Sequence, residues 1–378
     1  ALNTSSNGTV TVTNSGLADL NAKITSAGTV LFDDATTGTI NLGSDIETTD
    51  ADAEININNA AATLSTDVAL TTSDGAINLD EVLDDTGSTH TLTLTAGTDN
   101  IVVDDNVGVD GGNTLAAVTV ESAGDVHFSG GAATVDVGAL TIGNTSAVGA
   151  DTEFDAEVNV GGNATIDTLG LLDIATDFGV GGTGTLQSGN ITITAGTTSA
   201  SDLRFYTSTG AIAMNIGGPA GAWDLDQTEF DDRLDTAGSD VTFGESGAQS
   251  ATVTVQTIAL DATTSSLTVN ANGAGGGIVL DDEGGPNPAI DGNGADISLY
   301  AASGGISSAQ TTNDFAELVS AGAGTTITLD TTAEAAGTVG SGTNRILFGG
   351  PQNGVSIATD GGTVYVGGLE DGTGVEYT

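Results

Sequence analysis

The unit that decides the fold is clearest at residues 92–103, which read Leu-Thr-Leu-Thr-Ala-Gly-Thr-Asp-Asn-Ile-Val-Val. Aliphatic residues alternate with threonine in its first part, and this period of two is typical of a strand with one buried face. Ala96 and Gly97 predict a corner, and a second apolar strand begins at Ile101. Residues 118–128 repeat the unit as Val-Thr-Val-Glu-Ser-Ala-Gly-Asp-Val-His-Phe. Strand, glycine corner and strand therefore form the repeating element of the chain.

The glycine of this corner recurs at a spacing in the twenties. It lies at positions 28, 75, 97, 124 and 196, which are separated by 47, 22, 27 and 72 residues. Taken as two, one, one and three periods, these gaps give units of about 24 residues. Short strands at such a period are typical of solenoids, in which each coil covers its apolar face against the next. We therefore predict an all-β fold, a parallel β-helix (β-solenoid) with roughly 24 residues per coil.

We predict a single β-solenoid over residues 1–378, interrupted by loops or short helices at 217–235 and 311–320. Other alternating runs, at residues 9–13, 90–95, 117–120, 191–194 and 252–255, predict further strands. In the first interruption, apolar residues from Trp223 to Leu234 have weak helical spacing. In the second, Asn313 is a candidate N-cap for about two helical turns.

The charge composition excludes several classes of function. The chain has 51 acidic and 4 basic residues, a formal net charge of −47. So few cations cannot neutralise phosphates, which excludes nucleic acid as a partner and disfavours anionic lipid surfaces. The absence of cysteine excludes disulfides and thiolate metal sites. No apolar run approaches the ~18 residues of a membrane-spanning helix, and a hydrophobic content of 38% argues against disorder.

Two stretches resemble a known class of proteins. Residues 92–128 and the segment from Trp223 to Gly244 are similar to the β-strand-repeat regions of giant bacterial surface proteins, related to filamentous haemagglutinins and autotransporter adhesins. The resemblance implies a right-handed β-helix, secretion to the cell surface, and a role in adhesion or in an extracellular fibre. It brings no catalytic residues, because these repeats have none.

Paired carboxylates are the sharpest local feature of the sequence. Stacked on neighbouring coils, they would repel one another unless solvent, salt or a hard cation such as Ca²⁺ compensated their charge. A solvated acidic face and calcium at some of the turns both stay open, and no cofactor is otherwise required. The candidate calcium ligands are Asp33, Asp34, Asp84, Asp85, Asp104, Asp105, Asp281 and Asp282.

The remaining chemistry is sparse. His90 and His127 have no ligand-spaced partner nearby, which disfavours a histidine metal site, and His127 is expected on the outward face of its strand. Polysaccharide hydrolases and lyases occur on β-helices and use carboxylates or a base. Here aromatic residues make up 4% of the chain and Lys23 is its one lysine. We therefore predict that the protein is not an enzyme.

These observations predict a non-catalytic, extracellular or cell-surface protein that is structural or adhesive: a rod segment of a surface filament, sheath or giant adhesin. Expected partners are further copies, associated head-to-tail or laterally, and cell-surface or matrix polysaccharide. The alternatives are a calcium-stabilised solenoid that binds a ligand or polysaccharide, and a β-helix polysaccharide hydrolase or lyase.

Overall fold

The structure, a computed structural model, describes most residues up to 308 and shorter segments beyond. The described residues are 2–5, 8–13, 16–33, 39–57, 61–84, 89–108, 114–130, 133–218, 221–281, 288–302, 304–308, 314–320, 326–330, 353–359, 363–366 and 375–377. They divide into two compact units. Unit 1 is Ala1–Gly182 with Thr194–Gly196, and unit 2 is Thr183–Ile193 with Thr197–Thr378. A single solenoid over the whole chain stays a prediction.

Unit 1 is built of short strands that are numbered here in chain order. They are β1 (Leu2–Thr4), β2 (Val10–Thr13), β3 (Leu17–Leu20), β4 (Ile24–Ser26), β5 (Val30–Asp33), β6 (Thr39–Leu42), β7 (Ile46–Thr48), β8 (Ile55–Ile57), β9 (Ala61–Leu64), β10 (Val68–Thr71), β11 (Ile77–Leu79), β12 (Val82–Asp84), β13 (Thr91–Thr95), β14 (Ile101–Val103), β15 (Ala117–Ser122), β16 (Val126–Phe128), β17 (Thr134–Val137), β18 (Leu140–Ile142), β19 (Thr152–Phe154), β20 (Glu157–Val160), β21 (Ala164–Asp167), β22 (Leu171–Ile174) and the start of β23 (Phe178–Ser188).

Successive coils of unit 1 add strands to three parallel sheets. The first sheet is β1-β4-β7-β10-β13-β15-β18-β21, the second is β2-β5-β8-β11-β14-β16-β19-β22, and the third includes β3-β6-β9-β12 and β17-β20-β23. Partner residues such as Val68 and Leu92 are 24 positions apart, and the offset varies from 20 at Val10 and Val30 to 28 at Val107 and Val135. The predicted parallel β-helix and its coil length are confirmed.

In-register columns of apolar side chains form the core of unit 1. Ile55, Ile77 and Ile101 are successive partners in the second sheet and are fully buried. Two coils further along, the rings of Phe128 and Phe154 stack with centroids 5.3 Å apart. Each such buried side chain contributes about 1.5–3 kcal/mol, so the columns hold successive coils together.

Glycine is required where the chain turns closely against the preceding coil. A Cβ on Gly75 would lie 2.3 Å from the carbonyl oxygen of Ala53, well inside van der Waals contact. Gly97 has a φ of 64°, in the left-handed region that favours glycine. The predicted glycine corners therefore correspond to real steric requirements.

Unit 2 continues with parallel strands and one short helix among its described residues. These are β24 (Asn190–Ile193), β25 (Thr198–Thr207), β26 (Met214–Gly217), β27 (Trp223–Asp226), α1 (Gln227–Arg233), β28 (Leu234–Asp235), β29 (Asp240–Phe243), β30 (Val253–Gln256), β31 (Ile258–Ala259), β32 (Ser266–Ala271), β33 (Gly277–Asp281), β34 (Ile290–Asp291), β35 (Asp296–Ala301), β36 (Gly305–Ser308), β37 (Asp314–Ser320), β38 (Thr326–Asp330), β39 (Asn353–Thr359), β40 (Thr363–Val366) and β41 (Val375–Tyr377).

The coils of unit 2 are longer and less regular. Its parallel ladders are β25-β29-β32-β35-β38-β40, β27-β26-β30-β33-β36 and β31-β34-β37-β39. Partners are 25 residues apart at Val253 and Ile278 but 39 apart at Asp314 and Asn353. One antiparallel pairing occurs among the described residues, between β40 and β41.

The interruption at 217–235 contains a strand and a helix. Asp226 caps α1 by accepting from the Glu229 amide, and the Glu229 side chain accepts from the Asp226 amide in return. Phe230 on this helix is buried near the ring of Phe243, 6.2 Å away between centroids. Trp223 is fully buried on β27, so the one tryptophan of the chain belongs to the core.

The expectation of a loop or short helix at 311–320 is wrong for residues 314–320. They form strand β37, which pairs with β34 on one side and β39 on the other. Ladder hydrogen bonds to both neighbours override the weak helical propensity of this segment. Residues 311–313, including Asn313, lie outside the described part of the chain.

Candidate functional site

Acidic and amide side chains at the corners of unit 1 bind the backbone of the next coil. The amide of Asp125 donates to Asn100 Oδ1 at 3.2 Å, and the amide of Asp151 donates to Asp125 Oδ1 at 3.0 Å. The amide of Leu171 continues the column to Asp151 Oδ1 at 2.7 Å. Carboxylates in these places therefore satisfy backbone donors that the turns would otherwise leave unpaired.

The predicted calcium ligands within the described residues have protein partners. Asp104 Oδ1 accepts from Ser129 Oγ at 2.5 Å, and Asp105 Oδ1 accepts from the Asn106 amide at 2.8 Å. Asp281 Oδ2 accepts from Gln256 Nε2 at 2.8 Å. Calcium binding at these carboxylates stays a prediction.

The other five predicted ligands lie at or beyond the edge of the described structure. Asp33 and Asp84 end strands β5 and β12, and only their backbone is described. Asp34, Asp85 and Asp282 lie outside the described residues.

Charge repulsion between neighbouring coils is evident at Asp80. Asp80 and Asp104 each follow a strand of the second sheet, and their amides donate to Ile57 and Leu79 of the preceding strands. Partial burial raises the pKa of Asp80, and the charges of Asp105 and Asp104 raise it further. The expected stacking of like charges therefore occurs at this corner.

A different cluster lies on the outward face of the second sheet. His127 on β16 is the register partner of Glu153 on β19, which is in turn the partner of Asp173 on β22. His127 Nε2 lies 3.1 Å from Asp155 Oδ2 and 3.8 Å from Glu153 Oε2. One atom from each of these three residues lies within 4.8 Å of the other two. Their side chains are 33–45% exposed, so the cluster is open to solvent.

Asp173 adds a fourth polar group beside this cluster. Its Oδ1 is buried and has no hydrogen-bond partner. Burial raises the pKa of Asp173, and the neighbouring charges of Glu153 and Asp155 add to the effect. The surface here is thus crowded with negative charge that one imidazole only partly compensates.

The cluster combines one nitrogen donor with carboxylate oxygens on rigid strands, and it is the one such metal-type grouping among the described residues. Local spacing misses it because the partners of His127 are 26 and 28 residues downstream. That distance is one coil, so adding one repeat period to the position of His127 would have found Glu153 and Asp155.

Comparisons with known protein families, with curated proteins and with solved structures found no match to this chain. Within the described ranges, none of the helical structure has the length and apolar character needed to cross a bilayer. The assignment to the surface-protein class therefore stays a prediction.

Proposed function

We propose that this chain is a non-catalytic structural or adhesive β-solenoid outside the cell, a segment of a surface filament, sheath or giant adhesin. The observation that carries the proposal is the set of three parallel ladders in unit 1, which join each coil to the next around an aliphatic core. Such a body resists extension because backbone hydrogen bonds and apolar columns act together between coils.

The first coil supports a proposal of head-to-tail self-association. Strands β1, β2 and β3 each pair on one side only among the described residues. Leu2 and Leu17 on this coil are 48% and 66% exposed. An unpaired strand edge is a template for another strand, so this edge suits a coil of a second copy.

The acidic surface regulates such association. A net charge of −47 makes copies repel one another at low ionic strength. Salt or cations screen this repulsion, and the exposed edge can then pair. We therefore expect assembly to increase with ionic strength.

Sedimentation velocity and electron microscopy of the full chain at low and high salt test this proposal. We expect filaments at high salt, with an axial repeat of about 4.8 Å set by the strand spacing. Leu17→Lys at the edge should suppress them, whereas Leu169→Lys, at a leucine that is 50% exposed on a later coil of the same unit, should not. Monomers under all conditions, or equal effects of the two variants, would contradict head-to-tail stacking.

The adhesive role and the location need separate tests. Antibody labelling of intact cells should detect the protein outside, and labelling only after lysis would refute the proposed location. Retention of the purified chain on cell-surface or matrix polysaccharide would support adhesion, and no retention on any such polymer would leave a purely structural role.

A further inference from the structure

We propose that His127, Glu153 and Asp155 form a binding site for a divalent first-row transition metal, with Zn²⁺ the expected ion. The site lies on the outward face of the second sheet and joins two successive coils of unit 1. This role is independent of the proposed structural or adhesive function.

The donor set favours a transition metal over calcium. Imidazole nitrogen suits zinc and its neighbours in the first row, whereas calcium takes six to eight oxygen ligands. His127 Nε2 is directed at both carboxylates, 3.1 Å from Asp155 Oδ2 and 3.8 Å from Glu153 Oε2. Zinc bonds of about 2.0–2.2 Å place adjacent ligand atoms roughly 3.0–3.6 Å apart, so small side-chain rotations complete the site.

The backbone holds the ligands in place. His127 and Glu153 are at paired positions of β16 and β19, and the residues that flank them on each strand are buried. The amide of Asp155 donates to the carbonyl of Phe128, which fixes this residue directly after β19. Only side-chain rotamers remain to be ordered on binding, which keeps the entropic cost low.

A second observation points to a cation at this place. Asp173 Oδ1 is buried without a hydrogen-bond partner, although Asp173 is the register partner of Glu153. Buried polar atoms are rarely left unpaired in proteins. A metal ion bound by the three ligands would place positive charge beside this oxygen, directly or through a bound water.

Three protein ligands leave coordination positions open towards solvent, as in zinc sites that keep a water ligand. Binding would also stabilise the folded chain, because an unfolded chain would not hold ligands from two coils together. The metal would therefore act as a clip between neighbouring coils.

The chain contains two histidines, which makes the test specific. Zn²⁺ is titrated into metal-free full-length protein in a large excess of CaCl₂, which occupies general acidic sites. Calorimetry gives the stoichiometry and affinity, and NMR follows the two imidazole rings. We expect one zinc per chain, with signals of His127 shifting to saturation at one equivalent while those of His90 stay in place.

Variants complete the experiment. His127→Gln and Asp155→Asn should each weaken zinc binding at least about tenfold, the lower range for disrupting a metal site. The matched control His90→Gln should leave affinity and stoichiometry unchanged. Unshifted His127 signals, zinc binding abolished by calcium, or equal affinities for His127→Gln and His90→Gln would each overturn the proposal and indicate binding by the acidic surface only. The NMR titration of the unmodified chain decides the question even if a variant fails to fold.

Discussion

Replacing Gly75 by alanine tests the close contact between coils at a single atom. The added Cβ would lie 2.3 Å from the carbonyl oxygen and 2.6 Å from the carbonyl carbon of Ala53, where ordinary contacts begin at 3.4 Å. Both atoms belong to backbone, so one coil must move by about 1 Å relative to the other. Overpacking of this kind typically costs about 1–3 kcal/mol, and we expect the free energy of unfolding to fall by that amount.

The matched control is Gly149→Ala in the same unit. Its Cβ would lie 3.6 Å from the nearest atom, the carbonyl oxygen of Ala123, so no backbone has to move. Removing a glycine also reduces the freedom of the unfolded chain, so this variant should be neutral or more stable by up to about 1 kcal/mol.

Thermal unfolding and amide hydrogen exchange measure the two effects. The Ala53 carbonyl lies two residues before β8, and Gly75 lies two residues before β11, which pairs with β8. Gly75→Ala should therefore lower the melting temperature and speed exchange in β8 and β11, while Gly149→Ala leaves both strands protected. Equal melting temperatures and equal exchange for the two variants would refute the argued contact between coils.

Three further predictions concern the core, the titration behaviour and the cations. Phe154→Ala removes a buried ring stacked on Phe128 and should cost about 3–5 kcal/mol in chemical denaturation; a loss below 1 kcal/mol would contradict the aromatic column. Burial raises the pKa of Asp167 above its ordinary 3.8, so this group favours folding at low pH and loses that contribution as pH rises above 3.8. Asp167→Asn should thus raise the melting temperature at pH 7 and weaken the rise seen on acidification, and a lower melting temperature would reverse the assigned sign. If calcium binds carboxylates such as Asp104, chelator with low salt should lower the melting temperature more than low salt alone; equal shifts would leave only screening.

Much of this fold could be predicted because its local and global periods agree. Alternating Thr91–Thr95 gives one strand with one buried face, and Gly97 gives the following corner. The same pattern returns about one coil later, so the register of β13 with β15 follows from the repeat. Where the coil length changes, as between Asp314 and Asn353, the repeat no longer specifies which segments pair.

The candidate site was harder to predict because its residues meet across coils. The carboxylate pairs attract attention as neighbours in sequence, yet Asp104 and Asp105 make separate hydrogen bonds to Ser129 and Asn106. His127 lacks a ligand-spaced neighbour in its own strand. The register of β16 with β19 brings Glu153 to it, and register depends on the exact length of the intervening turns.

Disulfide trapping tests the stacking of parallel coils most directly, since the chain has no cysteine of its own. Ala69 on β10 and Thr93 on β13 are register partners on an outward face. Adjacent strands lie about 4.8 Å apart, which is within the span of a disulfide. We predict that the Ala69→Cys/Thr93→Cys chain forms an intramolecular disulfide under mild oxidation, and that Ala69→Cys/Thr91→Cys, displaced by two residues along the strand, does not. Efficient bridging of the displaced pair, with none in the register pair, would contradict the parallel, in-register solenoid.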